Sequence, residues 1–262
     1  MSVYIYSMPK AGTYFYAEVL SRLGLYNTGY HVNENTYLDT NGFSSYTNAS
    51  TPSKTRISEN FTHVIRGLTP EQFAFGHFAL PINPHVAHAH TKYLCAYRDP
   101  KHTLVSEFID FRFRRVDVPW LSPDVIDDDE EAFCLYLKQH GLGAPLDIFK
   151  KFVFYKQSLD NPLYFKNQKK RSLFVNFDEG VRNSEQIAKI ASFLDIEGTA
   201  VHFRGMHADV LSAETKTKTG NLSIDRQSLW TKKTKKIYQK SEFPAVMKLA
   251  KKLGLKFPWL IF

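Results

Sequence analysis

One segment near the beginning restricts what this chain can become. Val3–Ser7 is a short run of β-branched and aromatic residues, the pattern of a buried strand. Pro9-Lys10-Ala11-Gly12-Thr13 forms a turn. Tyr14–Leu23 then carries Phe15, Val19, Leu20 and Leu23 at helical spacing, until Gly24 stops it. Strand, glycine turn and helix in about 20 residues open an α/β fold.

The rest of the chain extends that pattern. Thr91–Tyr97 reads as a second strand, closed by Arg98-Asp99-Pro100, and residues 101–115 continue as a helix whose late part carries Arg112, Arg114 and Arg115. Pro119–Pro123 breaks the chain. The acidic run Asp127–Glu131 opens a helix over Ala132–His140, where acids suit the N-terminal dipole. Leu173–Phe177 is a third strand, Ser184–Leu194 an amphipathic helix with a Ser cap, and Pro244–Leu253 a final helix. Residues 28–60 are rich in Asn, Thr and Ser and read as loops, of the kind that can form an acceptor-side lid. There is no internal repeat and no low-complexity linker. The expectation is one α/β domain over residues 1–262, with a central, mostly parallel sheet flanked by helices.

Composition narrows the function classes. With 262 residues, 43% of them hydrophobic and 23% charged, the chain can bury a core, which excludes disordered and collagen-like classes. No run of about 18 apolar residues is present to span a membrane. MSVYIYSMPKAGT lacks the basic, apolar and small-residue succession of a signal peptide and reads as strand. Cys95 and Cys134 give neither a disulfide framework nor a zinc spacing, so a reducing cytoplasm is the default and the sequons at Asn48, Asn60 and Asn221 are chance matches. The net charge of +8 is uneven. Residues 214–262 hold eleven lysines and Arg226 against Glu214, Asp225 and Glu242, a net of +9, so the remainder sums to −1. That suggests a local anionic partner. A solvated lysine face over Lys232–Lys240 is one reading and nucleic acid the other. No zinc-finger, homeodomain or RNP-like signature accompanies the lysines.

The opening turn suits an anion. Glycine lets the backbone approach a phosphate, the N–H groups of the helix start point at it, and the helix dipole favours its charge. Lys10 adds a full positive charge. The pattern is not Walker A, because Lys10 precedes Gly12 instead of following a second glycine, which disfavours a Mg²⁺-dependent nucleotidase. Arg98 follows a strand and so stands at the carboxyl edge of the sheet, where open α/β folds bind ligands. There a guanidinium can grip a phosphate bidentately, or pair with Asp99 or another acid. Ser106 lies about two turns into the next helix and can add a hydroxyl. Lys218-Thr219-Gly220 is a weaker anion loop.

Together these segments resemble the PAPS-dependent sulfotransferase family (PAPS is 3′-phosphoadenosine 5′-phosphosulfate). SMPKAGTYF is similar to the family's 5′-phosphosulfate loop, TxPKSGTxW, and YRDPKHTLVSEF to its 3′-phosphate motif, RxPxxxxxSxY. ETKTKTGNLS resembles the C-terminal RKGxxGD loop, with Lys218-Thr219 where Arg-Lys is usual and Ser223 in place of the second Gly. GHFALP resembles the THxP segment that carries the catalytic His, and LFVNFDEGVRNSEQIAKIASFLDI the strand–YEDL–helix block. These segments cover under half of the chain. The resemblance implies a P-loop-like fold and a soluble, cytosolic-type enzyme of bacterial natural-product metabolism. It would use PAPS, release PAP (adenosine 3′,5′-bisphosphate) and need no metal.

Position by position, the resemblance puts Lys10 against the leaving 5′-phosphate and the sulfuryl group, with Ala11, Gly12, Thr13 and Tyr14 offering further groups to that phosphate. Phe15 takes the place of the family's Trp beside adenine. Arg98, Ser106, Lys218, Thr219 and Gly220 bind the 3′-phosphate. Phe177 replaces the YEDL Tyr, keeping the ring without the hydroxyl. Lys10, His77 and Ser106 form the catalytic set. Sulfuryl transfer is an in-line displacement with charge building on the bridging oxygen, so positioning and a fixed cation can supply most of the catalysis. The acceptor must lose a proton, and His77 is the candidate base, because an imidazole pKa of about 6.5 suits neutral pH. His85, His88 and His90 form H-x-x-H-x-H in a proline-flanked stretch that reads as a loop rather than a metal site.

The acceptor is a small-molecule hydroxyl or amine. Asp127, Asp128, Asp129, Glu130 and Glu131 either face a cationic natural product or simply start a helix. The expected protein is cytoplasmic, a monomer or homodimer, with no nucleic-acid or membrane partner. Two other functions stay open. One is a P-loop-like nucleotide kinase using ATP and Mg²⁺. The other is a non-catalytic anion- or nucleic-acid-binding protein using the basic C-terminal region.

Overall fold

The computed structural model describes residues 1–32, 36–39, 54–57, 61–77, 90–114, 118–160, 168–213 and 225–257. They fall into two compact units, Met1–Arg98 with Phe154–Lys216, and Asp99–Val153 with Thr217–Phe262.

The first unit is built on a sheet of β1 (Ser2–Ser7), β2 (Tyr26–Val32), β3 (Thr36–Asp39), β4 (Lys54–Ile57), β5 (Gln72–His77), β6 (Thr91–Tyr97) and β7 (Ser172–Asn176), in the order β4-β3-β2-β5-β1-β6-β7. The five strands β2-β5-β1-β6-β7 are parallel, and β3 and β4 extend the sheet antiparallel beyond β2. The fold is therefore α/β with a mostly parallel sheet. In chain order the helices are α1 (Thr13–Arg22), α2 (Phe61–Gly67), α3 (Pro100–Phe113), α4 (Asp129–Tyr136), α5 (Ala144–Ser158), α6 (Phe177–Gly180), α7 (Glu185–Phe193), α8 (Ala200–Ser212), α9 (Lys232–Gln239) and α10 (Phe243–Lys252).

β1 is buried at all six positions, as a central parallel strand covered on both faces must be. Val3 and Ile5 share an apolar core with Tyr16 and Leu20 of α1, Ile187 and Ile190 of α7, and Phe203 and Met206 of α8. The alternate residues turn to the other face. There Tyr4 meets Phe61 of α2 edge-on at 5.2 Å and Tyr6 meets Tyr155 of α5 at 5.8 Å. These buried phenols have a consequence at high pH. Burial pushes Tyr4, Tyr6, Tyr16, Tyr136, Tyr155 and Tyr238 above the ordinary value of 10.0. The folded state holds them protonated while the unfolded chain releases their protons from about pH 10 upward. Their contribution is thus complete below that pH and lost as pH rises. A spectrophotometric titration is expected to show these tyrosines ionising only in one step with alkaline unfolding. Smooth ionisation of every tyrosine in a folded chain would contradict it.

β1 has β5 on one side and β6 on the other. The chain leaves β1 toward the β5 side and later returns to the β6 side, so β1 is a topological switch point, where open α/β sheets bind ligands beyond the strands' carboxyl ends. Lys10, His77, Arg98 and Phe177 all follow or end strands at that edge.

The second unit is helical. Asp99 caps α3 by accepting from Lys101 N at 2.9 Å, with Pro100 in the first helical turn. The acidic run is a helix start with structural partners. Asp128 accepts from Glu131 N at 2.6 Å, Asp129 pairs with the buried Arg112 at 2.7 Å, and Glu130 accepts from Thr231 Oγ1 at 2.8 Å. α9 is capped by Thr231 and buries Thr234 and Tyr238, while its lysines are exposed.

Sequence expectations need correction at residues 28–60 and at Ser184. Residues 28–60 are not all loop, since β2, β3 and β4 fall within or across them. β2 (YNTGYHV) pairs with β5 through a register shift between Asn27 and His31. Gly29 N bonds to Asn27 Oδ1 at 2.9 Å within the bulge, and Thr28 Oγ1 donates across to Phe73 O of β5 at 2.8 Å. A distant partner overrides weak local propensity there. Ser184 is also not the side-chain cap of α7. It already has helical backbone angles, and Asn183 Oδ1 accepts from Glu185 N at 2.8 Å instead.

Candidate functional site

The site grows out of the turn after β1. Met8 N bonds to Ala96 O at 3.0 Å and Ala11 N to Met8 O at 3.2 Å, closing the turn against the end of β6. Lys10 at φ 58 and Gly12 at φ 80 are both left-handed, which folds the backbone sharply into α1. At Lys10 that conformation costs about 1 kcal/mol, a strain that persists where surrounding structure enforces it. Gly12 is the N-cap residue of α1 and has no side chain with which to cap it. An uncapped first turn presents backbone N–H donors, which is the chemistry of an anion cradle.

Gly12 is required twice. A Cβ there would lie 2.0 Å from Phe177 Cδ2, quite apart from the positive φ. Phe177 begins α6 and does not end β7. Asn176 caps that short helix by accepting from Glu179 N at 3.1 Å. The ring meets Phe15 edge-on at 5.7 Å, and the Arg98 guanidinium lies 5.0 Å from its centroid. Gly12→Ala is therefore expected to lower unfolding stability by about 3 kcal/mol through strain and overpacking. Gly12→Ala/Phe177→Ala should recover only part of that loss, because the backbone strain remains. Urea unfolding checks both, and a loss below about 1 kcal/mol in Gly12→Ala would contradict the packing.

Arg98 is 12% exposed. It donates from Nε to Asp178 Oδ1 at 2.9 Å and from Nη1 to Lys10 O at 3.4 Å. Its acid partner is Asp178 and not Asp99. The guanidinium thus bridges the end of β6, the start of α6 and the backbone of the opening turn. On the other side of β1, Ser7 stands opposite His77 in the β1–β5 register. Ser7 Oγ is 3.2 Å from His77 Nδ1, and His31 packs edge-on against the His77 ring at 4.8 Å.

Lys10, Ala11, Gly12, Thr13, Tyr14, Phe15, His77, Arg98 and Phe177 therefore lie at one edge of the sheet. Ser106 is half-buried on α3 of the second unit. Lys218, Thr219 and Gly220 lie outside the described residues, as do His85 and His88. Two further residues, Asp178 and Ser7, enter the site from the structure. The acid two residues after β7 was the available signal for Asp178, and Ser7 is the first residue of SMPKAGTYF, at the end of β1. Cys95, fully buried within β6, has its thiol pushed well above the ordinary range by that burial.

No family model matches the sequence, and no curated protein does. Solved structures do match the fold. Mouse sulfotransferase SULT7A1 complexed with PAP superimposes with a TM-score of 0.51 at 14% identity, over 95% of this chain and 88% of that one. Retinol dehydratase with androsterone and the inactive cofactor PAP gives 0.59 at 13% identity, over 98% and 82%. Retinol dehydratase with retinol and PAP gives 0.55 at 12% identity, over 98% and 83%. The chain shares the P-loop-like α/β fold of these structures.

Proposed function

We propose that residues 1–262 act as one PAPS-dependent sulfotransferase domain, moving a sulfuryl group from PAPS to a hydroxyl or amine of a small molecule. The observation that carries this reading is the opening turn. Strained Lys10, Gly12 flush against Phe177, and an uncapped α1 start sit beside Arg98, in a fold shared with PAP-bound sulfotransferases. Those residues fit a doubly phosphorylated nucleotide. The α1 start and Lys10 would take the 5′-phosphate, Arg98 the 3′-phosphate, and Phe15 with Phe177 would offer aromatic surface to the base. Ser106 and the Lys218-Thr219-Gly220 loop keep their 3′-phosphate roles on sequence resemblance alone.

The chemistry asks little of the protein beyond position and charge. Lys10 stabilises the charge that builds on the bridging oxygen as its bond to sulfur breaks. His77 takes the acceptor's proton. The protein is proposed to work in the cytoplasm as a monomer or homodimer, without a metal and without a nucleic-acid or membrane partner.

The test is incubation with PAPS labelled in the sulfuryl group and a panel of small hydroxyl and amine compounds, with and without Mg²⁺. Label is expected in an organic product whether or not Mg²⁺ is present. Transfer of a labelled γ-phosphoryl from ATP–Mg²⁺ would favour the kinase instead. Salt-steep binding to DNA or RNA with no transfer would favour the nucleic-acid-binding protein.

A further inference from the structure

We propose that the Ser7 hydroxyl is a positioning group that fixes the ring tautomer of His77, holding the proton on Nδ1 and the lone pair on Nε2. This deepens the reading above and rests on it for the role of His77. Ser7 is fully buried at the last position of β1. Its Oγ has three partners: Thr13 Oγ1 at 2.7 Å, Gly76 O at 3.0 Å and His77 Nδ1 at 3.2 Å.

Donor counting fixes the directions. A serine hydroxyl has one proton and two lone pairs, and a carbonyl oxygen can only accept. The Ser7 proton therefore goes to Gly76 O. Thr13 Oγ1–H and His77 Nδ1–H must then both donate to Ser7 Oγ, which fills its two lone pairs. A neutral imidazole carries one N–H, so Nε2 is the basic atom.

The frame around this network is stiff. A Cβ on Gly76 would come within 2.0 Å of Val32 O and 2.2 Å of Tyr4 Oη, so the carbonyl that takes the Ser7 proton is held between strands. Thr13 is the first residue of α1, so the helix start proposed to hold the 5′-phosphate also anchors the hydroxyl that holds the base. A base oriented by a third group is the general logic of catalytic triads.

The proton step balances. The acceptor's O–H or N–H bond breaks and Nε2–H forms, while the acceptor atom bonds to sulfur. The bond from sulfur to the bridging oxygen breaks, and PAP leaves with that electron pair. The imidazolium then carries both N–H groups, and Nδ1–H keeps its bond to Ser7, so the network need not rearrange.

Nitrogen-15 NMR of histidine-labelled protein tests this, with the His77 signals assigned by their loss in His77→Gln. At a pH where His77 is neutral, the unmodified chain is expected to show protonated Nδ1 and unprotonated Nε2. Ser7→Ala should move the ring toward the Nε2–H tautomer, and Ser7→Thr, which keeps the hydroxyl, should restore Nδ1–H. PAP binding by the unmodified chain is measured alongside by calorimetry. An Nε2–H ring in the unmodified chain overturns the proposal even if Ser7→Ala does not fold, as does an unchanged tautomer in Ser7→Ala. A Ser7-dependent Nδ1–H ring in a chain that fails to bind PAP would uphold the positioning and remove the sulfuryl-transfer reading.

Discussion

Lys10→Ala is expected to lower sulfuryl transfer by at least about 100-fold while the chain stays folded. A preorganised donor aimed at developing charge is worth about 10²–10³ in rate. Lys10 supplies a full charge at a turn whose backbone already points the helix start toward the same place. Alanine at φ 58 is as strained as lysine, so stability should change by less than about 1 kcal/mol. Lys10→Gly separates the two contributions further. It removes the same charge and relieves the backbone strain, so it should be equally inactive and no less stable. Labelled-PAPS turnover and thermal melts check both variants. Activity surviving within about tenfold, a loss under roughly 1.4 kcal/mol, would take Lys10 out of the transition state.

Arg98 carries the second large effect, and the structure changes how it must be tested. Arg98→Ala should weaken PAP at least about 100-fold by removing a charge-assisted, bidentate grip. It also takes the guanidinium from Asp178, whose side chain is 5% exposed. Breaking a buried ion pair from one side costs about 3–5 kcal/mol, so a weak or unstable single variant proves little about PAP. Arg98→Ala/Asp178→Asn removes both charges and is expected to regain most of that stability without regaining PAP affinity. Calorimetry and urea unfolding on the two variants decide it. PAP binding by the double variant within about tenfold of the unmodified chain would show that Arg98 serves Asp178 alone. Equal weakening of PAP and acceptor would also count against a 3′-phosphate role.

The parts of this site that were legible in the sequence are those built from neighbouring residues. The β1–turn–α1 unit is local, with apolar periodicity on both sides of Gly12. β6 is bounded by Thr91 and Arg98, which places that arginine at the sheet edge without any knowledge of the sheet. What stayed hidden depends on partners far away in the chain. β2 has Asn, Thr and Gly in its sequence and is a strand because β5 pairs with it across a bulge. β5 itself lies between β1 and β2, a place set by topology and not by its own residues. The Arg98–Asp178 pair joins residues 80 apart, and the Ser7–His77 bond joins residues 70 apart. The acidic run illustrates the opposite case, where the plain helix-start reading fits, since Asp128, Asp129 and Glu130 all have partners inside the helical unit.

The most direct measurement is the thermal stability of the unmodified chain with PAP against ADP–Mg²⁺. The account predicts that PAP at about 100 times its dissociation constant adds roughly 2.7 kcal/mol, raising the melting temperature by about 5–10 °C, while ADP–Mg²⁺ does far less. No stabilisation by PAP, or an equal or larger shift with ADP–Mg²⁺, would contradict it.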